Sequence, residues 1–183
     1  MSIAKRVETA LDFISKGDFE NALIYISIVV DATSKKESPR SMSQSNRNKK
    51  FIDDNQDFVY RFSTGGQVSV TGTLNYPTGT LGRTLYKIIR CGLLHEGILP
   101  DTFVMLDGQG LGFMRTNIDQ DKPMGFAIST YLLVALLILV ITSPVNRRES
   151  INGGMDFTIY DITSQVNNIW GDRSHLNSYP IYD

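Results

Sequence analysis

The sequence predicts a mainly α fold, a helical bundle carrying one small antiparallel β-hairpin. Three observations lead there. Apolar residues recur at spacings of three and four through residues 3–36 and again through 81–97, the mark of helices with one buried face. An almost unbroken apolar run at 124–141 supplies a central helix for the others to wrap. Between them, 102–106 and 111–115 flank Asp107-Gly108-Gln109-Gly110, which is turn chemistry for a hairpin with a four-residue connection.

In chain order, Ile3, Val7, Ala10, Leu11 and Ile14 form the stripe of a first helix, which Gly17 closes. Asp18 then caps a second helix over 19–36, with Phe19, Ala22, Leu23, Ile26, Val29 and Val30 on its apolar face, so the two make an antiparallel hairpin. Asp31 lies mid-helix as a candidate polar group facing a site, although its amphipathic setting favours a solvated position. Residues 38–50 are rich in serine, asparagine and lysine and read as a connection or frayed helix start. Arg40, Arg47, Lys49 and Lys50 give this stretch a local positive excess suited to phosphate, although such a run also serves as a solvated face. Phe51, Phe58, Val59 and Phe62 predict a third helix that stops at Gly65-Gly66, and 67–76 reads as loop with a short strand.

The stretch 81–100, LGRTLYKIIRCGLLHEGILP, holds the candidate chemistry. Leu81, Leu85, Ile88, Ile89, Leu93 and Leu94 predict a helix, with Gly97 and Pro100 as its stop. Arg90 and His95 both fall near its end. On an α-helix, five residues advance about 7.5 Å and turn about 140°, so the two do not stack, but a long arginine side chain can lean toward the imidazole. Unpaired carbonyls at a helix C-terminus favour imidazolium and a nearby arginine opposes it, which suits titration near neutrality. Cys91 and Glu96 are candidate supporting residues; a satisfied histidine at a helix end is the plainer reading.

The run 124–141 poses a choice between a buried helix, spanning 124–142, and a short bilayer span. Ser129 and Thr130 interrupt it and Pro144 ends it, while the amphipathic helices need an apolar partner, so the buried reading is preferred and no membrane is expected. Residues 156–162 read as a strand or short helix, and Trp170 and the SYPIYD tail offer aromatic surface to the domain or to a second subunit.

One domain over 1–183 is expected, with net charge −1 and therefore no global attraction to nucleic acid or acidic membranes. The lone Cys91 excludes an internal disulfide and a multi-cysteine metal site and fits a reducing interior, so cytoplasm is the expected compartment. The N-terminus lacks the apolar region of a secretory signal. No cofactor and no metal are expected.

Two N-terminal helices joined at Gly17-Asp18, the segment FENALIYISIVVDATSKK, and a later helix ending in Arg90-Cys-Gly-Leu-Leu-His95 together resemble the HEPN superfamily. The resemblance covers residues 1–100; the 101–116 hairpin and the C-terminal third lie outside it. It implies an all-helical bundle and metal-independent RNA cleavage at a cleft between two subunits, each contributing Arg90 and His95, often in toxin or defence systems with an antitoxin protein as partner. Cys91 stands where that family usually has a polar residue, so a catalytically silent binding or assembly module is the second reading. A small membrane-anchored protein is the third. The chemistry stands apart from the name: a histidine near neutrality can take a proton from a ribose 2′-hydroxyl, and an arginine can stabilise charge on the attacked phosphate.

Overall fold

The computed structural model describes residues 1–64, 79–97, 99, 103–106, 113–116, 125–159 and 162–177. Of the expectations above, the 67–76 loop, the Gly65-Gly66 stop, the 107–110 turn and the SYPIYD tail lie outside these residues. What is described is mainly helical.

Helices α1 (Ile3–Ser15) and α2 (Phe19–Glu37) pack along one another. Their junction follows from three residues. Gly17 takes the left-handed conformation at φ 72°, and its N–H donates to Ile14 O while that of Asp18 donates to Phe13 O, which closes α1. Asp18 then accepts from Asn21 N at 3.3 Å and opens α2.

The expected third helix is two. Helix α3 (Gln44–Asp53) starts within the polar stretch on the cap of Ser43, and α4 (Gln56–Ser63) follows after a break at Asp54 and Asn55. Asn55 makes the break: its Nδ2 donates back to Phe51 O at 2.8 Å, ending α3, and its Oδ1 accepts from Arg173 Nη1 at 2.8 Å. The Arg173 guanidinium also lies 4.8 Å from the Phe58 ring centroid. Burial lowers its pKa from the ordinary arginine value and Glu37 opposes the shift. The C-terminal segment is thereby held on the start of α4.

The apolar run is also divided. Its first residues form strand β3 (Gly125–Ser129), and only the remainder is helix α6 (Thr130–Ile141). Strand β3 has β1 (Phe103–Leu106) parallel on one side and β2 (Phe113–Thr116) antiparallel on the other, giving the order β1-β3-β2. The two expected hairpin strands therefore exist but do not pair with each other. Local turn chemistry located them, whereas their partner is a segment that hydropathy had assigned to a helix. The antiparallel hairpin observed is β4 (Asp156–Ile159) with β5 (Ile162–Gln165), which resolves the strand-or-helix choice at 156–162.

Helix α6 is the core. Every residue from Ala135 to Ile141 is buried, and α2 and α4 pack on it. Each large apolar side chain so enclosed contributes about 1.5–3 kcal/mol. Its last carbonyls are met from outside the helix: Thr142 Oγ1 donates to Ile138 O, Asn146 Nδ2 to Val140 O, and Gly171 N to Ile141 O. Gly171 must be glycine, because at φ 70° an added Cβ would sit 2.4 Å from Arg147 Cβ and 2.6 Å from its Cα. Trp170 beside it is buried in the same core, so its aromatic surface packs on the chain itself. Among the described residues, no helix is long and apolar enough to cross a membrane.

Candidate functional site

The helix that opens at Leu81 has two parts. Thr80 caps it, and Asp53 reaches across from α3 to accept from Thr80 Oγ1 at 3.0 Å and Gly82 N at 2.7 Å. A carboxylate beside free N–H groups at a helix start is favourable for both hydrogen bonding and charge. The approach leaves no room for a side chain: a Cβ on Gly82 would lie 2.3 Å from Lys49 O. After α5 (Leu81–Leu85) the ladder widens into a π-helix over Tyr86–Glu96, which ends at Gly97 in the left-handed conformation, φ 71°. Leu81, Leu85, Ile88, Ile89 and Leu93 are buried along it, as the spacing predicts, and the helix packs on α2 and α3.

The widened ladder changes the geometry expected for the motif. Arg90 and His95 are five residues apart, and on a helix with i→i+5 hydrogen bonds positions at that separation lie a little more than one turn apart, on neighbouring parts of one face. An α-helix would have turned them apart. Cys91 and Glu96 lie in the same π segment, offset by one position and also five apart. The side chains of Arg90, Cys91, His95 and Glu96 lie outside the described residues.

Of the basic residues expected to meet phosphate, Arg47 donates from Nη1 to Met42 O at 2.7 Å and Lys50 pairs with Asp54 at 2.7 Å on the surface of α3. Lys49 differs. Its Nζ lies 4.9 Å from the centroid of the Tyr86 ring, at the first turn of the π segment. Asp31 stands at the other end of α3, accepting from Gln44 Nε2 at 2.7 Å and so fastening α2 to the start of that helix. His175 falls on the short helix α7 (Ser174–Asn177).

Between α2, α3, α6 and the π segment lies a small open cleft with room for about one water, whose lining includes Ser27, Asn48, Ile52, Tyr86, Ile89 and Leu136. The wall is apolar except for Ser27, Asn48 and the Tyr86 hydroxyl. Ser27 Oγ donates to Ile24 O within its own helix. Asn48 is 5% exposed, so its carboxamide is set into the wall. Sequence reasoning passed over Asn48, Tyr86 and Asp53. Tyr86, one helical turn before Arg90, carried the only signal; the other two depend on how α3 docks.

A family model matches residues 2–179, from the cap of α1 past the end of α7. The chain belongs to the Rv1289 family. The match runs undivided through the helical first half and the sheet-bearing second half of this Rv1289-family chain. No curated protein and no solved structure matches it.

Proposed function

We propose that this Rv1289-family chain is a HEPN-like, metal-independent RNA endonuclease that acts as a cytoplasmic homodimer, of the kind used in toxin or defence systems. The observation that carries the reading is that Arg90 and His95, five residues apart, both lie on a helix with i→i+5 hydrogen bonds, whose wider turn brings them nearer one face than an α-helix does. Co-facial placement is what a one-phosphate site requires. In the reaction, His95 takes the proton of a ribose 2′-hydroxyl as its oxygen attacks the adjacent phosphorus, and Arg90 stabilises the added negative charge. The bond from phosphorus to the 5′-oxygen breaks, and the 5′-oxygen takes a proton from the second histidine of the dimer. A 2′,3′-cyclic phosphate and a free 5′-hydroxyl result. RNA fits and DNA does not, since only RNA carries the internal nucleophile.

The test is cleavage of single-stranded RNA in excess EDTA. His95→Ala is expected to lose about two to four orders of magnitude, and Arg90→Ala a comparable amount through lost charge stabilisation, with circular dichroism unchanged in both. Equal cleavage by wild type and His95→Ala assigns the activity to a contaminant and removes the proposal. Absence of cleavage by wild type, with RNA still bound, favours the silent binding module, the reading to which Cys91 points.

A further inference from the structure

We infer that the cleft at Tyr86 is a nucleobase subsite, in which a base of single-stranded RNA stacks on the Tyr86 ring after displacing Lys49, and Lys49 then pairs with the flanking phosphate. The inference rests on the RNA-cleavage reading of the same helix and adds to it the group that holds the substrate's base.

Three observations converge on this place. The first is Tyr86 itself, half-buried at the cleft, with an ammonium 4.9 Å from its ring centroid. A lysine on an aromatic face is held by a modest attraction, and a base offers a larger contact to the same face. The second is Lys49. Its neighbours Arg47 and Lys50 are engaged with Met42 O and Asp54, whereas Lys49 has no carboxylate partner among the described residues. When its place over the ring is taken, its charge is available to a phosphate a few ångströms away. The third is Asn48. Its carboxamide is 95% enclosed and lines the same cleft as the ring, where it is one of the few polar groups. A base stacked at the mouth presents its donor and acceptor edge to such a group, much as amide side chains read base edges elsewhere.

The register ties the subsite to the reaction. Tyr86 lies four residues before Arg90 on one continuous helix, about one turn away, so base and attacked phosphate would be bound at a separation natural to neighbouring parts of one nucleotide.

Binding is measured by fluorescence anisotropy with a labelled, fully 2′-O-methylated oligonucleotide, which no 2′-hydroxyl mechanism can cleave. Tyr86→Leu is expected to weaken binding roughly tenfold or more, the size of one lost stack, while Tyr86→Phe, which keeps the ring, stays within about threefold of wild type on the same ground. Lys49→Ala should reduce the slope of log affinity against log salt by about 0.7, as one lost phosphate contact to a single strand does. Tyr86→Phe and Lys49→Ala serve if Tyr86→Leu does not fold. Unchanged binding by folded Tyr86→Leu, equal losses in Tyr86→Phe and Tyr86→Leu, an unchanged salt slope in Lys49→Ala, or no binding by wild type overturns the subsite. Ring-dependent binding by a wild type that fails to cleave natural RNA retains the subsite and removes the nuclease reading, so the two fail separately.

Discussion

At Gly82 a single hydrogen in place of a methyl group decides how the candidate helix is seated. Asp53 can accept from Gly82 N only because α3 and the start of α5 come within a distance that a Cβ would fill, 2.3 Å from Lys49 O. Gly82→Ala is expected to destabilise the chain by about 1–3 kcal/mol through overpacking, whereas Arg83→Ala at the exposed neighbour stays within about 0.5 kcal/mol. Thermal melts of the two variants check this. Tyr60 provides a second test at this scale. Burial, reinforced by Asp53 and Asp57, pushes its phenol well above the ordinary value of 10.0. The folded state thus favours the neutral phenol more than the unfolded state does. That contribution is fully present below about pH 10, where the unfolded tyrosine ionises, and is lost as pH rises toward the folded value. Above pH 10 the unfolding free energy of wild type should therefore fall more steeply than that of Tyr60→Phe, by up to about 1.4 kcal/mol per pH unit. Parallel slopes in denaturant titrations across that range would count against it.

Among the elements, α6 separates what a sequence pattern reveals from what it hides. Hydropathy located a buried helix correctly, and Leu136, 1% exposed, lies within it. Leu136→Asp should place an unpaired carboxylate there and cost several kcal/mol, enough to unfold a marginal domain; loss of the cooperative melt is the expected readout, and a retained melt would show the site relaxing to admit water. What hydropathy could not show was that 125–129 is a strand, because a short apolar run reads alike as buried strand and buried helix. The error then spread to β1 and β2, whose partner had been taken away. Elements signalled by their own neighbours were legible: Gly17-Asp18 marked the α1–α2 junction, and Gly97 marked the end of the motif helix. The α3–α4 break was not, since Asn55 acts through Arg173, 118 residues away. The π segment was hidden for a further reason: its apolar residues also satisfy the α spacing, so the extra residue per turn left no trace in the pattern. Arg90 and His95 were therefore found by residue type, while Asn48, Tyr86 and Asp53 required the docking of α3.

For the molecule as a whole, the proposed chemistry asks for more groups than one motif holds. Attack and leaving-group protonation need two proton-transfer groups beside a cation, and the motif supplies one histidine. The other histidine, His175, belongs to a segment whose Arg173 is fixed on Asn55 and Phe58 at the start of α4, while the π segment packs on α2 and α3. A twofold axis beside the π segment, as proposed, would instead add a second Arg90 and His95 to the first pair, and cyclic pairing is the commonest way a chain doubles its site. The large apolar side chains exposed among the described residues are Met1 and Val145, so the contact expected from that surface is a polar, dissociable one rather than an apolar seam. The chain should accordingly purify without detergent and show a mass that rises with concentration toward twice 20.5 kDa in light scattering. Cleavage per chain should rise over the same range, because under this proposal only the paired form would carry a complete site. A single-chain mass at roughly tens of micromolar, where modest interfaces are filled, together with undiminished cleavage, would remove the composite site and leave one histidine to serve as base and acid in turn.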